Sequence, residues 1–399
     1  MTLIITQRER RNLNFLFLYF GFALLCLASR TPDLKRSLGV NNGAFGVLLS
    51  LGALGAPIAF MWVGQISHRL GVAPVLIVTS ALVYGPIALM PHIHTLWKFV
   101  LVNMLLGAGL NGFNIAVHHQ ALNRQLLSGE KSIPRLHGMF SLGTLLTTVL
   151  SIAITSHVSL AWHVDILMSL LWAGTLVAIF RMRQFLSPGS PNNEVEERVR
   201  VRDTWAMLTT NHYMGIAFLC AVIVEFSTND WVTLSSHQDI KAGTTLSIVP
   251  YLAFLFGMTT GRLGIHKLLV FKPDTYWIRV SSRIGGVGFV IFLLLAKYLS
   301  SHSFVWAFTC EILGFLIGGL CGSFFAGLLT QISSQRSNFP GGVVVAQIGL
   351  AVAILTLLVK LVVSWVAQTT SITYALMIPG ALMIALSFFK KLGVREVRV

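Results

Sequence analysis

Acidic residues are scarce in this chain: 14 Asp and Glu stand among 399 residues, and charged residues of both signs make up 11%. An ordinary soluble domain carries about a quarter charged residues. Hydrophobic residues reach 55% and mean hydropathy is +0.76. No water-soluble fold of this length hides so much apolar surface, so a bilayer is the solvent for most of it. Cysteine is also rare. Cys26, Cys220, Cys310 and Cys321 sit inside apolar runs without C-x-x-C spacing, which argues against a disulfide framework or thiolate metal site and for buried packing. Long outer polar segments are missing, so no outer loop can fold as a separate domain. The net charge of +15 invites a nucleic-acid partner. The basic residues fall in short gaps between apolar runs and form no continuous stripe, which excludes that partner.

What the chain has in quantity is apolar runs of membrane-crossing length. A window of about 20 residues, enough to span roughly 30 Å of hydrocarbon as helix, selects twelve. They cover 12 to 30, 43 to 66, 73 to 91, 96 to 119, 136 to 157, 160 to 181, 207 to 232, 243 to 264, 275 to 298, 303 to 328, 340 to 364 and 370 to 389. The opening "ITQRERRNLNFLFLYFGFALLCLASR" has a basic flank and a small-residue site like a signal peptide, but with so many spans behind it an uncleaved first helix is the better reading. With the N-terminus inside, 22 of the 29 Lys and Arg fall on the inner side and 7 on the outer, which places both termini in the cytoplasm. Trp97, Trp162, Trp231, Trp306 and Trp365 fall near outer ends, and Trp205 and Trp277 near inner ones, as interfacial anchors do.

The one long polar connection, "RMRQFLSPGSPNNEVEERVRVRDTW", reads as a cytoplasmic linker. It divides an all-α membrane protein into a six-helix bundle at 1–181, a linker at 182–206 and a second six-helix bundle at 207–399. Chains halved this way build a binding site between repeated bundles near the midplane.

Two basic stretches hold equivalent places in the halves: "GQISHRLG" at 64 to 71 and "GRLGIHKL" at 261 to 268. Both read as tight inner turns in which Gly64 and Gly261 permit close helix approach. Gly64, His68, Arg69, Gly71, Gly261, Arg262, His266 and Lys267 are the candidate gate residues. The first stretch resembles the G-x-x-x-D-R-x-G loop of the major facilitator superfamily. With "RTPDLKRSLGVNNGAFGVLLSLGALGA", "PRLHGMFSLGT" and "EFSTNDW", the chain resembles the fucose-permease-like branch of that superfamily, over nearly its whole length. The resemblance implies twelve helices around a central cavity, with the first, fourth, seventh and tenth lining it. It implies alternating access and transport of a small solute, often driven by protons, by a monomer in a bacterial cytoplasmic membrane without cofactor or metal. A transport-inactive sensor or assembly partner with a solute cavity is the alternative.

The sequence departs from the resembled pattern at three places. His68 and His266 stand where relatives carry the loop aspartate. Two readings stay open: tolerated surface turns, or a compensated or pH-sensitive gate, since imidazole titrates near 6.5. Asn114, in "NGFNIAVHHQ", replaces an acid. An amide bonds a hydroxylated solute but carries no proton at physiological pH. His118, His119 and His137 raise a membrane metalloenzyme, yet no carboxylate accompanies them and the H-x-x-H-H boxes are missing. Helix-end histidines fit better; His118 joins the solute-binding candidates, and His137 reads as a brace for the fifth helix.

The remaining question is why so acid-poor a chain embeds carboxylates. Glu225 and Glu311 lie well inside apolar spans, with Asp230 closer to an end. An ionised side chain at the bilayer centre costs about 2.5 to 3.5 kcal/mol on insertion scales, so an embedded acid faces a cavity or a partner. If the seventh helix ends near Val232 and the tenth begins near Ser303, both glutamates lie roughly 10 to 12 Å below the outer ends. On facing walls they could share a proton. Glu225 and Asn229 share a helix face, while Asp230 and Trp231 read as the helix end, with Asp230 capping it or pairing with Arg30 or Lys241. Packing alone is the plainer reading for either glutamate. The coupling candidates are therefore Glu225, Glu311 and Asp230, and the solute-binding candidates are Asn103, Asn114, Asn229 and His118.

Overall fold

The computed structural model describes residues 7–128, 133–188, 211–336, 341–390 and 392. Every regular element among the described residues is helical, as a lipid solvent demands, because a helix satisfies its backbone hydrogen bonds internally. The helices are α1 (Gln7–Leu24), α2 (Thr31–Leu38), α3 (Asn42–Leu51), α4 (Ala56–Leu70), α5 (Val72–Leu89), α6 (Leu96–Ser128), α7 (Ile133–Ile154) and α8 (Leu160–Met182). There follow α9 (His212–Gln238), α10 (Val249–Leu268), α11 (Asp274–Leu299), α12 (Phe304–Gly322), α13 (Phe325–Arg336), α14 (Gly341–Thr369), α15 (Ile372–Ala375) and α16 (Met377–Leu386). Among the described residues, eleven stretches are long and apolar enough to cross a membrane, and Ile372–Leu386 is a shorter apolar one. The predicted span at 370 to 389 is thus two helices that meet at Leu376.

The chain forms two compact units, one of Met1–Gly39 with Leu51–Arg198, the other of Val40–Ser50 with Val199–Val399. In the first, α1 packs on α7 and α8, α5 on α6 and α8, and α4 on α6. In the second, α9 packs on α14 and α16, α11 on α12 and α16, and α10 on α12. Both units therefore repeat one packing pattern, with α1, α4, α5, α6, α7 and α8 answering to α9, α10, α11, α12, α14 and α16. Where the 3-10 turn Gly52–Gly55 leading into α4 meets α6, and where α10 meets α12, the approach is alike: a Cβ on Gly107 would run into the Gly52 carbonyl, and one on Gly319 into the Phe254 carbonyl. Backbones that approach this closely need small residues at the crossing.

Three local expectations are corrected. Positions 64 to 70 are the last turns of α4 and positions 261 to 268 the last turns of α10, so neither stretch is a loop. Only Gly71 separates α4 from α5, at φ 85°, a conformation glycine adopts without strain. The seventh span does not end near Val232, because α9 continues to Gln238. Its polar last turns are interior: Ser235 and Ser236 are buried, and Ser235 shares a hydrogen bond with Thr373. Trp231 is accordingly no interfacial anchor. It is 1% exposed and packs edge-on against Phe45, whereas Trp97, Trp162, Trp306 and Trp365 are exposed. The linker beyond residue 188 lies outside the described residues.

Candidate functional site

Four consecutive-turn residues of α9, three of them polar, form an accessible strip on a largely interior helix. Glu225, Phe226, Asn229 and Asp230 are open or half-open, while Ser227, Thr228, Trp231 and Val232 between and beyond them are buried. Offsets of one, four and five residues spread the four side chains over an arc of about 140° and about 7.5 Å of helix axis.

Each polar member of this strip has a partner from another helix. Arg262 of α10 donates from Nη2 to both Glu225 oxygens, at 3.4 and 3.3 Å, and from Nε to the Ser323 carbonyl at 3.1 Å. Gly261 lets the guanidinium reach that carbonyl, since a Cβ there would strike Ser323 and the Leu320 carbonyl. Asn229 accepts a hydrogen bond of 3.0 Å from the hydroxyl of the fully buried Tyr251. Asp230 pairs with Lys360 of α14 at 2.7 Å, and the ammonium also lies 5.6 Å from the centre of the Phe226 ring. The two ion pairs differ in burial: side-chain exposure is 34% and 35% for Arg262 and Glu225, but 14% and 18% for Lys360 and Asp230. The first is long and open to exchange; the second is short and enclosed.

Asp230 therefore does not mark a helix end, and the cation it pairs with is Lys360, not one of the two suggested partners. Arg30 belongs to the first unit, where it donates to Asp33 at 2.6 Å and to the Val158 carbonyl at 3.1 Å beside a cavity of about 470 Å³. Lys241 lies beyond the end of α9. Lys360 is the partner that sequence reasoning missed. The signal was a lysine inside a 25-residue apolar window, read as an outer-end residue because α14 was expected to stop five residues early. Tyr251 gave no signal, being one aromatic in an apolar run.

Glu311 does not join this strip. It is 1% exposed on α12, beside the Ser235 and Ser236 hydroxyls, and neither carboxyl oxygen makes a hydrogen bond of normal geometry. Nearby Asp239 accepts from the Thr373 backbone and hydroxyl at 2.7 Å each and lies 3.7 Å from Lys297. Glu311 thus belongs to a group at the C-terminal end of α9. Glu225 stands thirteen residues before that end and Glu311 seven residues into α12, so the two are not at one depth. A proton shared directly between them is excluded.

The first unit has its own accessible polar group. Asn114 is exposed on α6, and its carbonyl lies 2.9 Å from His118 Nδ1. His118 Nε2 in turn faces His137 Nε2 of α7 at 3.4 Å. His137 therefore does more than brace its own helix. Asn103, the further solute-binding candidate on α6, is buried with its amide against Gly52. Toward the start of α1, Glu9 is paired with Arg124 of α6. Arg69 and Lys267 are exposed at the ends of α4 and α10, while the side chains at His68 and His266, and position Gly64, lie outside the described part of those helices. Among the described residues, no group of three or more His, Cys, Asp or Glu converges. All four cysteines are free.

Three comparisons bear on what such an arrangement serves. The family profile of the Major Facilitator Superfamily matches residues 11–354. An uncharacterized MFS-type transporter of Yersinia pestis is 22% identical over 345 residues, covering 83% of this chain and 82% of that protein. Among solved structures, a variant of the nucleoside transporter NupG superposes with a TM-score of 0.74 at 13% identity, covering 96% of this chain and 99% of that one. A D-xylose-proton symporter does so at 0.70 and 14%, covering 97% and 98%.

Proposed function

The chain belongs to the major facilitator superfamily, and from that premise we propose that solute movement is coupled to protons at the accessible strip of α9, with Glu225 as the coupling group. The protein is a secondary active transporter of a small solute, working by alternating access in a bacterial cytoplasmic membrane, and not an enzyme. The observation that carries the proposal is the Glu225–Arg262 pair, long at 3.3 Å and one-third exposed on both sides. Protonating Glu225 cancels the pair and frees Arg262 Nη2 for an acceptor group of the solute. Arg262 keeps its place meanwhile through Ser323. Asn229 on the same strip supplies a hydrogen bond to the solute, and Asn114 on α6 stays the candidate hydrogen-bonding group of the first unit. Asp230, locked to Lys360, holds the strip in shape. A proton symporter among the structural neighbours supports the coupling.

The same proposal includes the topology. Twelve spans in two six-helix bundles, with Ile372–Leu386 in the last and the linker between the bundles, are supported by the repeated packing pattern. Cytoplasmic termini follow from the Lys and Arg asymmetry. The working unit is a monomer with no nucleic-acid partner. The test is flux into liposomes, from a panel of small polar solutes, with and without an imposed proton gradient. Wild-type protein accumulates its solute only with the gradient, and Glu225→Gln retains counterflow exchange but loses accumulation. Accumulation that survives the substitution would remove Glu225 from the mechanism.

A further inference from the structure

We infer that His118 and His137 form a binding site for a borderline transition-metal dication of the Zn²⁺ class, bridging α6 and α7. His118 Nδ1 lies 2.9 Å from the Asn114 carbonyl oxygen, which can only accept, so the ring hydrogen is on Nδ1. In the neutral ring the lone pair is then on Nε2, and that atom faces His137 Nε2 at 3.4 Å. Read as a hydrogen bond, 3.4 Å is long by about 0.4 Å against the usual separation of about 2.9 to 3.0 Å. Read as two ligands of one ion, it fits. Nitrogens each about 2.0 to 2.1 Å from a tetrahedral zinc stand about 3.3 to 3.4 Å apart. The pair is spaced for a shared cation rather than a shared proton.

The surroundings support ligation. A backbone carbonyl bound to the far ring nitrogen is the usual outer-shell partner of a metal-bound histidine, fixing both tautomer and ring orientation. Phe17 of α1 packs edge-on against both rings, with centroids at 5.1 and 6.2 Å, and limits their rotation. His137 is exposed and His118 half-open, so an ion can arrive and its remaining positions can hold water or a solute carboxylate. Two imidazoles without thiolate select Zn²⁺, Ni²⁺, Co²⁺ or Cu²⁺ over Mg²⁺ and Ca²⁺. His119, next in sequence, is turned about 100° around α6 and lies outside the pair.

The test uses full-length protein purified without a polyhistidine tag, in detergent, titrated calorimetrically with Zn²⁺ and with Mg²⁺. One Zn²⁺ per chain binds and Mg²⁺ does not; His118→Ala and His137→Ala each weaken Zn²⁺ binding at least tenfold, and His119→Ala and His92→Ala leave it unchanged. His92 is the informative control, because its imidazole pairs with Asp165 at 3.0 Å and offers the competing surface site. Metal-free melting curves check that the variants are folded. A measurement needing no variant accompanies them: Co²⁺ bound to the wild-type chain gives the intense visible bands of a four-coordinate site. Zn²⁺ affinity unchanged in the His118→Ala/His137→Ala double variant, or a Co²⁺ spectrum no different from the aqueous ion, overturns the inference.

Discussion

Replacing Asp230 by Asn leaves the ammonium of Lys360 without its counter-charge inside α14, and the cost follows from the geometry. At 2.7 Å the direct attraction is about 6 kcal/mol for an effective dielectric of about 20. The desolvation of two ions, several kcal/mol each, offsets most of it, so the net value of the intact pair is small. A single substitution does not return that desolvation, and breaking a buried pair costs about 3 to 5 kcal/mol. Asp230→Asn and Lys360→Met should each fall in that range, the latter also losing the contact with Phe226, about 0.5 to 1 kcal/mol. The double variant should return to within about 1 kcal/mol of wild type or exceed it. Glu225→Gln, made in the more exposed pair on the same helix, should cost only about 0 to 1 kcal/mol. The assay is reversible unfolding in mixed micelles, analysed as a double-mutant cycle. A coupling energy near zero between Asp230 and Lys360, or Asp230→Asn no worse than Glu225→Gln, would refute the reasoning.

Other expectations use the same unfolding assay. Gly257→Ala, whose new methyl would strike the Leu316 carbonyl across the α10/α12 crossing, should cost about 1 to 3 kcal/mol, whereas Gly264→Ala, which meets nothing within 4 Å, should gain up to about 1 kcal/mol of helix propensity. Tyr251→Phe, losing the bond to Asn229, should cost about 1 kcal/mol and lower solute affinity in binding measurements. Glu311→Gln preserves shape at a site where, among the described residues, no cation is paired with the carboxyl, and its stability should stay within about 1 kcal/mol of wild type.

Much of the architecture was legible because lipid imposes a simple rule: a span must be about 20 apolar residues. That rule found the runs and the division of the chain. It failed where polar residues are interior. Ser235, Ser236 and Gln238 look like a loop, yet they extend α9 because neighbouring helices supply hydrogen-bond partners or bury them. It failed again at Lys360, whose embedding depends on where α14 ends. For the candidate site, the helical period placed Glu225 and Asn229 on one face, and the structure has both on one accessible strip. Their partners, Arg262 and Tyr251, stand 37 and 22 positions away and were chosen by helix packing. The joint depth of Glu225 and Glu311 was wrong for the same reason as the end of α9.

Trp231 sits next to Asp230 in sequence, walled off by Phe45, while Trp97, Trp162, Trp306 and Trp365 face outward at 61% to 67% exposure. The protein therefore carries an optical probe beside the accessible strip of α9. Lipids with brominated chains quench indoles that touch them, so those four emitters dim in such bilayers while Trp231 does not. With Phe in place of the other eight tryptophans, the remaining fluorescence is that of Trp231 and responds to charge changes one residue away, without attaching a label.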